Sequence, residues 1–213
     1  MNKKLLLPII AGIGLVVVAT VFMIPSSDTS PSENSDSKTL SISYVDTNKE
    51  IQLQLALQEI AMSSPLKLNG FSIKKYCTFF AAESIQNAIE YCTSTELLDS
   101  KGEYLGNIHM VGVPNSPEYV IGVIQSDPNL SQLPEIKIVS QTMIESLVCD
   151  CWEVEKPGGF ETVSDWIEAA KNHHLEAERI TSKSEISGIG QKDLLLEITT
   201  NTEGYLWKFI IPN

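Results

Sequence analysis

The chain is short of positive charge and almost without arginine. Fifteen basic residues stand against 27 acidic ones, for a net charge of −12, and only Arg179 is an arginine. A guanidinium cluster gripping phosphates or carboxylates is therefore excluded. So acidic a chain also argues against a nucleic-acid partner, because backbone phosphates demand a basic surface. Catalytic signatures are missing as well: there is no G-x-S-x-G and no H-E-x-x-H. Metal and redox motifs of the C-x-x-C and H-x-x-x-H types are absent too. The sequence therefore designates no catalytic residue.

What it does contain is a packed-core composition, with 43% hydrophobic residues, and one long apolar run. Lys3 and Lys4 precede residues 5–24, twenty residues without a charge. As a helix that run would be about 30 Å long, the thickness of a bilayer core. The expectation is a cytoplasmic tip and transmembrane anchor over residues 1–24, with the N-terminus inside and the remainder outside. A cleaved signal peptide is the competing reading, and it would make the protein secreted. Residues 25–39 contain six serines and no aliphatic or aromatic residue, and read as a flexible stalk.

The expected folded part is residues 40–213, an extracytoplasmic α+β domain. Residues 40–45 alternate like a strand. Residues 50–62 fit either period: Ile51, Leu53, Leu55 and Leu57 alternate, yet Leu53, Ala56, Leu57 and Ile60 share a helical face. Helix is chosen there, because Thr47 and Glu50 have capping-box spacing. Further helices are expected over 78–92, 134–149 and 161–176. Strands are expected over 95–98, 104–113, 119–125, 179–186, 194–200 and 205–211. Trp152, Trp166 and Trp207 read as core or edge packing.

The expected element order is two helices then three strands, twice over. Residues 83–90 align with 161–168 at three of eight positions, and Asn115 and Tyr119 match Asn201 and Tyr205. A tandem αα-βββ duplication would have halves at 40–128 and 129–213, each a helix pair on an antiparallel sheet. In element order this resembles the tandem helix-pair-plus-sheet fold of β-lactamase inhibitor proteins. That resemblance implies a protein-binding surface rather than an active site.

Cys77, Cys92, Cys149 and Cys151 are disulfide candidates on an exported chain. If 78–92 is one helix, Cys77 and Cys92 lie about 22 Å apart, too far to bond. Cys149 and Cys151 would close a very small ring. A bridge between the halves is therefore expected. The alternative is chemistry rather than stapling: Cys149 and Cys151 could bind Cu or Zn, or work as a thiol-redox pair, with His109 and His173 completing a metal site. Asn129 heads an N-x-S sequon and is a glycosylation candidate.

The leading expectation is thus a single-pass, membrane-attached protein with a non-catalytic binding or assembly-support role, no cofactor, and another protein as its partner. A metal-binding or thiol-redox protein centred on Cys149 and Cys151 is the alternative. A hydrolase of unknown mechanism comes third.

Overall fold

The computed structural model describes residues 43–77, 80 and 83–213. The apolar run at 5–24 and the serine-rich segment at 25–39 lie outside the described residues. Leu40–Asn213 forms one compact unit.

The ambiguous segment folds as helix α1, Tyr44–Ala56. Ser43 starts it, its hydroxyl accepting from the Asp46 amide at 3.1 Å. Tyr44, Thr47, Asn48, Ile51 and Leu55 face the core at helical spacing. The expected helical face is corrected: of Leu53, Ala56, Leu57 and Ile60 only Ile60 is buried, and Leu53 and Leu57 are 56% and 77% exposed. The strand expected over 40–45 is corrected at Tyr44 and Val45, which belong to α1; residues 40–42 lie outside the described residues.

Two short strands follow, β1 (Ala61–Met62) and β2 (Leu66–Leu68), then helices α2 (Phe71–Tyr76) and α3 (Glu83–Ala88). The helix expected to reach Cys92 ends at Ala88. Residue 91 already opens β3, Tyr91–Leu98. Strands β4 (Tyr104–Val113) and β5 (Ser116–Ser126) complete a meander. Helices α4 (Leu133–Leu147), α5 (Trp152–Glu155) and α6 (Val163–Glu176) precede a second meander. It consists of β6 (Thr181–Ile189), β7 (Lys192–Asn201) and β8 (Gly204–Pro212). Thr162 and Asp165 cap α6 reciprocally.

All eight strands form one antiparallel sheet, ordered β1-β3-β4-β5-β8-β7-β6, with β2 also on β3. The seam between the meanders is β5 on β8, running from Tyr119 opposite Pro212 to Ser126 opposite Tyr205. This corrects the expected fold of two tandem helix-pair units. The strands mirror one another about the seam, but the helices do not repeat. Residues from α1, α4 and α6 pack into the main core on one sheet face, around Trp166, Ile167, Met143 and Phe209. Cys77 and Ile89, flanking α2 and α3, belong to a smaller cluster with Val111, Ile121 and Ile210. The aligned segments 83–90 and 161–168 therefore contribute to different clusters. Their similarity is that of two short amphipathic stretches.

Gly122 sets how closely α4 approaches the sheet: a Cβ there would lie 2.9 Å from Met143 Sδ. Trp166 sits between Trp152 and Phe209, at ring-centroid distances of 5.7 and 5.8 Å. Its Nε1 donates to Ser184 Oγ at 2.7 Å, so the indole is buried with its polar atom satisfied.

The expected single-pass topology also needs correction. Among the described residues no helix is long and apolar enough to cross a membrane. The longest, α4 and α6, have 15 and 14 residues, and each buries one stripe on the sheet and carries polar and charged residues elsewhere. A membrane as partner, an N-in orientation and an extracytoplasmic location have no support from these residues.

Candidate thiol and metal sites

The four cysteines are joined as Cys77–Cys92 and Cys149–Cys151. The expected bridge between halves is corrected, and the cause is local. Because α3 ends at Ala88, the chain turns before Cys92, and the two Cα atoms lie 6.5 Å apart rather than a helix length.

Two groups of ligand atoms converge, each within 4.8 Å. The first is Cys149, Cys151 and Glu155. Cys149 follows the end of α4, where its amide donates to Ile144 O at 3.2 Å. Cys151 precedes α5, and its carbonyl accepts from the Val154 and Glu155 amides at 3.1 and 2.9 Å. That single turn carries Glu155 back over the cysteines. Both cysteines are half-buried and Glu155 is exposed.

The corner is braced from two sides. At the β6–β7 turn, Gly190 adopts φ +53°, and a Cβ there would meet Val148 Cγ1 at 2.8 Å. From the same hairpin Lys192 Nζ donates to Leu147 O at 3.0 Å. Burial pulls the Lys192 ammonium below its ordinary pKa. On the other side Trp152 is buried and donates from Nε1 to Phe160 O at 3.2 Å. A cleft of about 200 Å³ opens beside Cys149. Ile144, Trp152 and Val163 form its apolar wall, and Glu145, Asp150 and Glu153 bring acid groups to it.

The second group is Cys77, Cys92 and His109, all buried. Burial in this apolar cluster pushes the His109 imidazole down to about 4, so it is neutral at physiological pH. Of the metal candidates read from sequence, Cys149 and Cys151 thus come together, whereas His109 joins the other cysteine pair. His173 belongs to neither group among the described residues; it lines a separate cleft with Ser182 and Leu196. Glu155, four residues after Cys151, is the carboxylate that the fold adds to this cysteine pair. Asn129 is exposed in the turn between β5 and α4.

His174 gives the hydrolase reading its best geometry. Its Nδ1 lies 2.9 Å from Ser182 Oγ and its Nε2 2.8 Å from Thr200 Oγ1. Both ring nitrogens are thus engaged by hydroxyls, and His174 and Ser182 are 2% and 5% exposed. The arrangement pins α6 to β6 and β7.

Compared with family models, curated proteins and solved structures, the chain matches none. Its function is therefore argued from these sites. The expected non-catalytic assembly role gives way to the thiol-centred alternative, because two cysteine-based donor sets are the ligand groups that converge among the described residues.

Proposed function

We propose that the protein is a thiol-based metal-binding protein whose Cys149–Cys151 pair alternates between a disulfide and a dithiolate. The observation that carries this reading is the convergence of Cys149, Cys151 and Glu155 within 4.8 Å at a partly exposed corner. Reduction by an external dithiol breaks the Sγ–Sγ bond, gives two thiols and oxidises the reductant to its own disulfide. Metal binding then releases the two thiol protons. Two thiolates and a carboxylate suit a borderline divalent ion such as Zn(II), with water reaching the fourth position from the exposed side.

A second reading is thiol–disulfide exchange with a partner thiol, favoured by the cleft beside Cys149. Its acidic groups suit a cationic thiol better than an anionic one.

Differential alkylation tests the proposal. Under rising dithiol concentration, Cys149 and Cys151 should become labelled before the buried Cys77 and Cys92, and Zn(II) should protect them. Labelling of all four together, or no protection by Zn(II), would contradict the metal reading. Labelling without protection but with faster exchange toward a cationic thiol would favour the second.

A further inference from the structure

The other cysteine pair supports an inference that does not depend on the Cys149–Cys151 reading. Three separate elements supply its donors. Cys77 closes the C-terminal end of α2, Cys92 is the second residue of β3, and His109 lies within β4. The β3–β4 register pairs Cys92 with Val111 and Ser94 with His109. Cys92 and His109 are therefore diagonal neighbours on one sheet face, and Cys77 meets them there. The ligand atoms of all three lie within 4.8 Å of one another. A disulfide staple needs only the two cysteines. The His109 imidazole beside the staple supplies the third donor of a soft-ion site.

The cover over this site is thinly attached. Neither α2 nor α3 buries a residue. Beyond Cys77 and Ile89, partly buried Leu68, Ile73 and Phe80 make the apolar contacts of this region with the sheet cluster. The Cys77–Cys92 bond is thus the covalent tether of α2. The geometry points to an exchangeable tether: a disulfide in the oxidised chain, and a Cu(I) ion held by Cys77, Cys92 and His109 in the reduced chain.

The chemistry balances in two steps. An external dithiol transfers two electrons and two protons to the Cys77–Cys92 bond, leaving two thiols, and is itself oxidised to a disulfide. Cu(I) then displaces the two thiol protons to solvent and takes both sulfurs and one neutral imidazole nitrogen. Cu(I) fits better than Zn(II) because the site offers three soft or borderline donors. Among the described residues no fourth His, Cys, Asp or Glu joins the group, and its cluster neighbours Ile89, Val111, Ile121 and Ile210 are apolar.

The test uses the full chain carrying C149S and C151S, so that the other pair cannot contribute. Reduced and freed of reductant, it is titrated with Cu(I) against a chromophoric chelator. X-ray absorption then reads the coordination. The expected result is one Cu(I) per chain with two sulfur and one nitrogen neighbours. His109→Leu should weaken binding by at least about tenfold and remove the nitrogen, while C77A/C92A should abolish uptake. Circular dichroism checks that each variant stays folded; His109→Gln serves if the leucine variant does not. Hydrogen exchange in α2 should rise on reduction and fall again with Cu(I). No uptake by the reduced chain, or an unchanged nitrogen signal without His109, would overturn the inference.

Discussion

Removing each cysteine pair in turn should separate staple from working thiol. Cys77 and Cys92 are 15 residues apart in sequence and both fully buried. Cross-linking a loop of that length stabilises a fold by about 3 kcal/mol through the unfolded chain. The void left by two buried sulfurs in C77A/C92A adds about 1–2 kcal/mol. The expected loss is therefore about 4–5 kcal/mol, a large part of a domain's total stability. Cys149 and Cys151 are separated by only two positions. The same relation gives about 1.5 kcal/mol, and short stiff loops fall off it. The pair is half-buried, so C149S/C151S leaves hydroxyls near solvent rather than a sealed void. Urea unfolding of the oxidised proteins, followed by tryptophan fluorescence, measures both. Trp152 and Trp166 sit in the core beside the second pair, so the probe is well placed. If C149S/C151S cost as much as C77A/C92A, the Cys149–Cys151 bond would be a structural staple and the functional assignment would fail.

Three further outcomes follow from the packing. Trp166→Ala should destabilise the fold by about 3–5 kcal/mol, read as a lower urea midpoint, since the side chain is fully buried between two rings; a loss under about 1 kcal/mol would contradict the core assignment. Gly190→Ala should cost about 1–2 kcal/mol, because a left-handed φ and the contact with Val148 both resist a Cβ, and it should speed alkylation of reduced Cys149 by loosening the corner. His174 is held below its ordinary pKa, first by burial and then by the charge of His173. The unfolded chain therefore takes up this proton first as pH falls, so His174 leaves stability unchanged above about pH 7 and reduces it as pH drops through about 6.5. Melting temperature against pH for the wild type and His174→Gln checks this, and a melting curve that rises between pH 7 and 5 would refute it.

Some of this was readable in the chain and some was not, for physical reasons. The stripe Ile136, Val139, Met143, Ile144 and Leu147 is buried along α4, and Val163, Trp166, Ile167 and Ala170 along α6, because both have clear helical period and face a sheet. Residues 50–57 carried both periods. Capping by Ser43 and burial of Ile51 and Leu55, four apart, decided for helix. The cysteine pairing failed on one helix: expected over 78–92, it covers only Glu83–Ala88. Extending that helix four residues too far moved Cys92 out of a strand and away from Cys77. The grouping of His109 with Cys77 and Cys92 depends on strand register, which residue spacing does not encode. The mirrored sheet likewise depends on the β5–β8 seam, a pairing across about 80 residues. The tandem-unit expectation had no means of seeing it.

The central claim is that Cys149, Cys151 and Glu155 form an ion-binding thiol centre. Equilibrium dialysis of the reduced chain against Zn(II) tests it most directly, with metal counted per chain for the wild type, C149S/C151S and Glu155→Gln. Zn(II) should be retained by the wild type, lost from C149S/C151S and held more weakly by Glu155→Gln. Equal retention by the wild type and C149S/C151S, or none by either, would contradict it.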